Sequence, residues 1–93
     1  MTEKGSDAKF ETALAADGFA VAMKSMDPSM VVDDHTHDFE VRGLVTEGHF
    51  NITVGGQTTR YAAGDRFEMA AGCVHSEEIG PDGVTFVVGR RDP

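Results

Sequence analysis

The 93-residue chain has few residues of several types, and each shortage excludes a class of protein. Cys73 is the only cysteine, so no disulfide can form within the chain. Only 8 lysines and arginines stand against 16 aspartates and glutamates, which gives a formal net charge of −8. This balance argues against binding to nucleic acid or to anionic membrane, because both need basic patches. No apolar run approaches the length of a membrane span.

The length predicts one domain with a single modest core. We expect residues 1–9, which are polar, to form a disordered or loosely attached arm, and residues 10–93 to form the domain. The arm has no apolar core of a signal peptide, and with the free thiol this predicts a cytoplasmic protein. Phe10 and Leu14 stand four apart and allow one helical turn within residues 10–16.

Signals for β-strands dominate the rest of the chain. Short segments of alternating apolar residues are separated by turns that contain glycine; they cover residues 19–26, 39–46, 50–54, 57–61, 66–69, 74–79 and 84–89. No segment carries a sustained helical period of apolar residues. This rhythm predicts an all-β sandwich or small barrel.

The apolar alternation also predicts how two strands pair. If Glu47 and Gly48 form a two-residue hairpin turn, the facing residues create one apolar, interior face: Val41, Gly43, Val45, Phe50, Ile52 and Val54. The opposite face is polar except for Leu44, which we expect a neighbouring sheet or a second subunit to cover. A second hairpin is predicted around residues 80–83.

Three histidines form the most informative pattern. Side chains alternate along a strand, so His35 and His37 share a face, and the hairpin register makes that face interior with Val41. Interior histidines need partners for their ring nitrogens, either hydrogen bonds at a pocket mouth or a bound metal or ligand. Since His75 can join them from a distant strand, we favour the metal or ligand site. Neutral imidazole binds Zn, Cu, Fe and Ni.

Together these residues resemble the two motifs of the cupin superfamily, in its small single-domain form. His35, His37 and Gly48 match the first motif, and the second is matched at the right spacing by Gly64, Gly72 and His75. Ala70 and Ile79 replace the proline and asparagine of the second motif, and Ser29 replaces the first glycine. The resemblance covers roughly residues 17–90. It implies a small double-stranded β-helix, a jelly-roll-like barrel.

The carboxylate is where the chain departs from the family pattern. Cupins place a glutamate four residues after the second histidine, where this chain has Val41. Glu40 comes one residue early and faces outward by parity. It becomes a metal ligand only if a β-bulge near Phe39 turns it inward, and otherwise pairs with Arg42 or Arg60. Glu77 shares the parity of His75, which makes it a candidate ligand, supporting partner or catalytic acid/base.

The resemblance therefore implies a metal-dependent enzyme. A divalent transition metal (Fe, Mn, Ni, Zn or Cu) held by His35, His37 and His75 would act on a small molecule, in a reaction of the dioxygenase, isomerase or lyase type. The missing glutamate favours an alternative, a small-molecule binding or sensing module with weak or no metal. Edge strands of so small a barrel also predict a homodimer.

Overall fold

The computed structural model describes the backbone of residues 2–92 and the side chains of residues 8–92. One helix precedes six strands: α1 (Thr2–Ala16), β1 (Ala20–Met26), β2 (Val31–His35), β3 (Glu40–Val54), β4 (Gln57–Ala62), β5 (Arg66–Met69) and β6 (His75–Arg91). All strand pairs are antiparallel. The predicted all-β architecture is confirmed, with one helix added to it. Within the described residues, no helix is long and apolar enough to cross a membrane.

Two long strands, β3 and β6, organise the sheet. They pair with each other from Glu40↔Arg91 to Thr53↔Ser76, and each also pairs with shorter strands on its other side. One end of the ladder carries β1 and β5, and the other end carries β2 and β4. The six strands therefore form two four-stranded layers that share β3 and β6. The four short strands are edges, and the expected homodimer stays a prediction.

The two predicted hairpin turns are wrong, because β3 and β6 each run through the position of the turn. In β3 the register shifts between Val45 and Glu47 and again between Gly48 and Phe50. Gly48 faces Val84 and Phe50 faces Ile79, so the single residue His49 in β3 lies opposite the four residues 80–83 of β6. Both strands bend at these bulges and pass from one layer to the other.

The predicted interior residues are nevertheless buried, with one exception. A bulge that inserts one residue reverses which face the following residues occupy, as a two-residue turn does. Val41, Val45, Phe50 and Ile52 are therefore all in the core, whereas Val54 at the end of β3 is 41% exposed. The rest of this buried core comprises Phe67, Ile79, Val84 and Phe86.

A second apolar cluster lies outside the barrel, beneath α1. Phe10 and Leu14 lie one helical turn apart and pack with Phe19, Leu44 and Val87. Helix α1 therefore covers Leu44, instead of the sheet or subunit that we expected. Helix α1 also runs across residue 9, so the backbone of residues 2–9 is helical; the division into an arm at residues 1–9 and a domain at residues 10–93 stays a prediction. Sequence periodicity misses this helix because, among residues 8–16, only Phe10 and Leu14 are apolar side chains buried against the barrel.

Truncation of Leu14 tests the role of the helix. Leu14 is 3% exposed, so Leu14→Ala leaves a cavity and should lower the free energy of unfolding by about 2–4 kcal/mol in urea titrations. Met23→Ala is the control, because Met23 is 59% exposed and its loss should cost about 0.5 kcal/mol or less. Equal losses in the two variants would contradict the packing of α1 on the barrel.

Candidate metal centre

Three histidines from two strands and one connection meet at the end of the barrel. His35 ends β2 and faces His75, the first residue of β6, while His37 lies in the connection to β3. The carbonyl of His37 accepts a hydrogen bond of 2.8 Å from the Gly72 amide, which ties this connection to the loop before β6. One ring nitrogen from each histidine lies within 4.8 Å of the other two. The structure thus brings together all three histidines singled out in the sequence.

Backbone carbonyls determine which nitrogens of two rings are free. His35 Nδ1 lies 2.8 Å from the Asp33 carbonyl, and His75 Nδ1 lies 3.1 Å from the Cys73 carbonyl. A carbonyl only accepts, so each Nδ1 carries the proton and donates. Each Nε2 then keeps its lone pair, as a metal ligand must.

His75 carries an unsatisfied polar atom in the core. Its side chain is 1% exposed, and its Nε2 has no hydrogen-bond partner within the described residues. A buried nitrogen without a partner costs roughly 1–3 kcal/mol. A metal ion bound to Nε2 would remove this cost, so the histidine set fits a metal on this observation.

The surroundings of His37 favour its neutral form, the form that binds metals. Burial of the ring is the main cause that lowers its pKa, followed by the charges of His75 and His35. The Glu77 charge opposes this shift, and the Lys24 charge adds to it. The ring also stacks on Phe39 with a centroid distance of 4.9 Å, which limits its rotation.

Glu77 is the carboxylate beside the cluster. Its Oε2 lies 3.3 Å from His75 Nε2 and 3.7 Å from His35 Nε2, and its side chain is 12% exposed. The 3.3 Å contact is an ion-pair distance without the geometry of a hydrogen bond, so His75 Nε2 has no hydrogen-bond partner within the described residues. Strand β6 places residues 75, 77 and 79 on one face, and this alternation was visible in the sequence.

Glu40 does not reach the histidines. Its two carboxylate oxygens accept hydrogen bonds of 2.8 Å from Arg91 and 3.3 Å from Arg42, on the outside of the barrel. No bulge turns Glu40 inward, and its neighbour Val41 is buried in the core at 6% exposure. The sequence predicted the pairing with Arg42, whereas the second partner is Arg91 and not Arg60.

A cavity of about 250 Å³ opens next to the cluster, with His37 and Glu77 in its lining. The lining also includes Lys24 of β1 and Arg90 of β6, although the sequence predicted Arg90 and Arg91 to form a solvated cationic tail. The only sequence signal for Lys24 is its place in an alternating row, Ala20, Ala22, Lys24 and Met26, whose members all line the cavity. The pairing of β1 with β6, which sequence alone does not reveal, brings this row to the site.

Comparison with known proteins identifies the fold. No protein-family model matches the sequence, and no curated protein matches it. Among solved structures, a Rhizobium leguminosarum protein of unknown function superposes with a TM-score of 0.76 at 14% identity, over 83% of this chain and 73% of that one. A cupin superfamily protein from Desulfitobacterium hafniense gives 0.70 at 15% identity, over 81% and 68%.

A third similar structure is the polyketide cyclase RemF from Streptomyces resistomycificus. It superposes with a TM-score of 0.66 at 23% identity, over 82% of this chain and 58% of RemF. These likenesses show that the chain has the cupin fold, a double-stranded β-helix, as the two sequence motifs implied. At such identities the likeness extends to the fold and not to the reaction.

The pairing of Glu40 predicts a titration outside the cluster. The hydrogen bond from Arg91 is the largest cause that lowers the pKa of Glu40, and the charges of Arg91 and Arg42 add to it. Arg91→Gln should therefore raise this pKa toward its ordinary value, as followed by NMR of the Glu40 carboxyl carbon. Arg60→Gln should leave it unchanged.

The lowered pKa of Glu40 also predicts how the stability of the fold changes with pH. The folded pKa lies below the unfolded one, so the pair stabilises the fold above the unfolded pKa of Glu40 and is lost as pH falls through the folded pKa. As the pH falls through the acid range, the free energy of unfolding measured in urea should therefore decrease more steeply for the wild type than for Arg91→Gln. An identical pH dependence in the two proteins would contradict the pairing of Glu40 with Arg91.

Proposed function

We propose that this cupin-fold protein is a metal-dependent enzyme that binds a divalent transition metal at His35, His37 and His75 and acts on a small molecule. The observation that carries this proposal is the buried, unpaired Nε2 of His75, which lies among the three converging imidazoles. Hydrogen-bonded histidines at a pocket mouth, the other interpretation of the sequence pattern, would not leave this atom without a partner.

Three nitrogen ligands suit the proposed metal. Imidazole binds Fe, Mn, Ni, Zn and Cu, and three protein ligands leave coordination positions open for water or substrate. A bound ion would supply a Lewis acid that polarises a substrate oxygen or lowers the pKa of water. The chain's own residues would orient that substrate, since His37 faces both the cluster and the cavity.

Glu77 takes the place of the carboxylate that Val41 does not provide. Its Oε2 lies close to the Nε2 atoms of both His35 and His75, and Glu77 also lines the cavity. A carboxylate here offsets the charge of a dication, as the missing family glutamate would have done. Because it faces the cavity, Glu77 is also placed to accept or donate a proton at a bound substrate.

The cavity supports the competing candidate as well, a binding or sensing module without turnover. Most of its lining is apolar, a property that ligand pockets share whether or not they catalyse a reaction. Metal content separates the two candidates, because only the enzyme requires a stoichiometric ion.

We expect untagged protein to bind one divalent transition metal ion per chain, measured by mass spectrometry of metals and by Co²⁺ absorption. His37→Ala and His75→Ala should each lose this ion, because each removes one of three ligands. His49→Ala is the matched control, since the fourth histidine lies against Gly80 and outside the cluster. A metal-free wild type, or equal metal loss in His49→Ala, would overturn the proposal.

Exchange of each glutamate for glutamine tests which carboxylate serves the site. Glu77→Gln keeps the size of the side chain and removes its charge, so metal affinity should fall about 10- to 100-fold in calorimetric titrations. Glu40→Gln should leave the affinity unchanged, because Glu40 pairs with Arg91 and Arg42. An unchanged affinity in Glu77→Gln would remove this residue from the site.

A further inference from the structure

Two cations of this acidic chain line the cavity beside the histidines. The net charge is −8, yet Lys24 and Arg90 both contribute to the lining, together with His37 and Glu77. Across residues 8–92, neither Lys24 nor Arg90 forms an ion pair, and neither side chain donates a hydrogen bond. Their positive charges are therefore available to a ligand.

The β1–β6 pairing places both cations on the cavity side. Lys24 faces Phe86, and Arg90 faces Ala20, in the register of these two strands. Side chains of directly opposed residues share a face of the sheet, so Lys24 points the same way as the cavity residue Phe86. Ala20 and Ala22 also line the cavity, and like Lys24 and Arg90 they are exposed, so these four residues form its open rim.

The ring of Phe39 holds the side chain of Arg90 in place. Its guanidinium carbon lies 4.7 Å from the centre of the Phe39 ring, and Phe39 stacks on His37 at 4.9 Å. This cation–π contact holds the guanidinium against the Phe39 ring, and its N–H groups remain able to donate hydrogen bonds to a ligand. The stack also links the cationic rim to the histidine cluster through two ring contacts.

The wall of the cavity is apolar apart from these charged and polar side chains. It is formed by two sheet layers and comprises Val41, Phe50, Phe67, Met69, Phe86 and Val88. At about 250 Å³ the cavity lies just below the range of roughly 300–1,000 Å³ typical of ligand pockets. The cavity thus offers two exposed cations, an aromatic and aliphatic wall, and the less exposed side chains of His37 and Glu77.

We propose that the cavity binds a small carboxylate with an apolar body. The carboxylate lies between Lys24 and Arg90, the body packs against the apolar wall, and the far end of the molecule faces His37 and Glu77. This assignment deepens the proposed function, on which it rests for the group at the far end. Recognition of the carboxylate by the two cations needs no metal, so the two proposals can be tested separately.

A matched pair of probes tests the charge recognition. 3-Phenylpropionate and 3-phenylpropionamide have the same body and nearly the same size, and only the first is an anion. Calorimetry with chelator-treated and with metal-loaded protein should show the carboxylate binding about tenfold more tightly in both forms. The preference should shrink as salt is added, because the cations lie at an open rim.

Variants assign the preference to the two cations. Lys24→Met and Arg90→Met should each weaken carboxylate binding about three- to tenfold, and the double variant more, without changing binding of the amide. Arg60→Met is the matched control: it removes one positive charge from an exposed position on β4, outside the cavity, and should change neither probe. Unchanged amide binding also reports that each variant is folded.

Four outcomes would overturn the inference: equal affinity for the two probes, no binding of either, wild-type carboxylate binding in the double variant, or an equal loss in Arg60→Met. Its failure is distinguishable from failure of the proposed function. Carboxylate preference in a protein that takes up no metal would refute the metal proposal alone. Stoichiometric metal uptake without carboxylate preference would refute only the ligand assignment.

Discussion

The antiparallel ladder between β3 and β6 is the constraint on which the rest of the structure depends. It joins Glu40 to Arg91 at one end and Thr53 to Ser76 at the other, and every shorter strand pairs with one of these two. The bulges near Gly48 and residues 80–83 bend the ladder, so that one pair of strands serves both layers. Its outer surface presents Leu44 and Val87 to helix α1.

The ladder also creates the site, because β6 carries groups to both of its parts. Its first residue, His75, meets His35 of β2, and its other end carries Arg90 to the rim of the cavity. Carbonyls of the backbone keep the Nε2 lone pairs of His35 and His75 free, at the cost of one buried nitrogen without a partner. Within residues 8–92, a buried nitrogen without a hydrogen-bond partner and two cations without ion pairs lie beside one cavity, and they contribute nothing to the stability of a purely structural barrel. The proposed site gives each of them a role, because the nitrogen would bind a metal ion and the cations would bind a small anion.

Sequence reasoning predicted the strands and the core better than the connections between strands. Apolar alternation identified Val41, Val45, Phe50 and Ile52 as interior, because burial of one face is a local property of a strand. It could not separate a two-residue turn at Glu47 and Gly48 from a bulge, since both reverse the alternation. It also missed most of α1, whose attachment depends on Phe10 and Leu14 contacting residues distant in sequence.

For the site, the sequence by itself determined which side chains have the required chemistry: the pair His35 and His37, a third histidine at position 75, and no glutamate at position 41. Tertiary structure decided between the alternatives that the sequence left open for the two glutamates: Glu77 lies beside the cluster, and Glu40 pairs with Arg42 and Arg91 outside. It also decided that Lys24 and Arg90 line the same cavity. Alternation and motif spacing describe one strand at a time, whereas these positions depend on which strands pair and in what register.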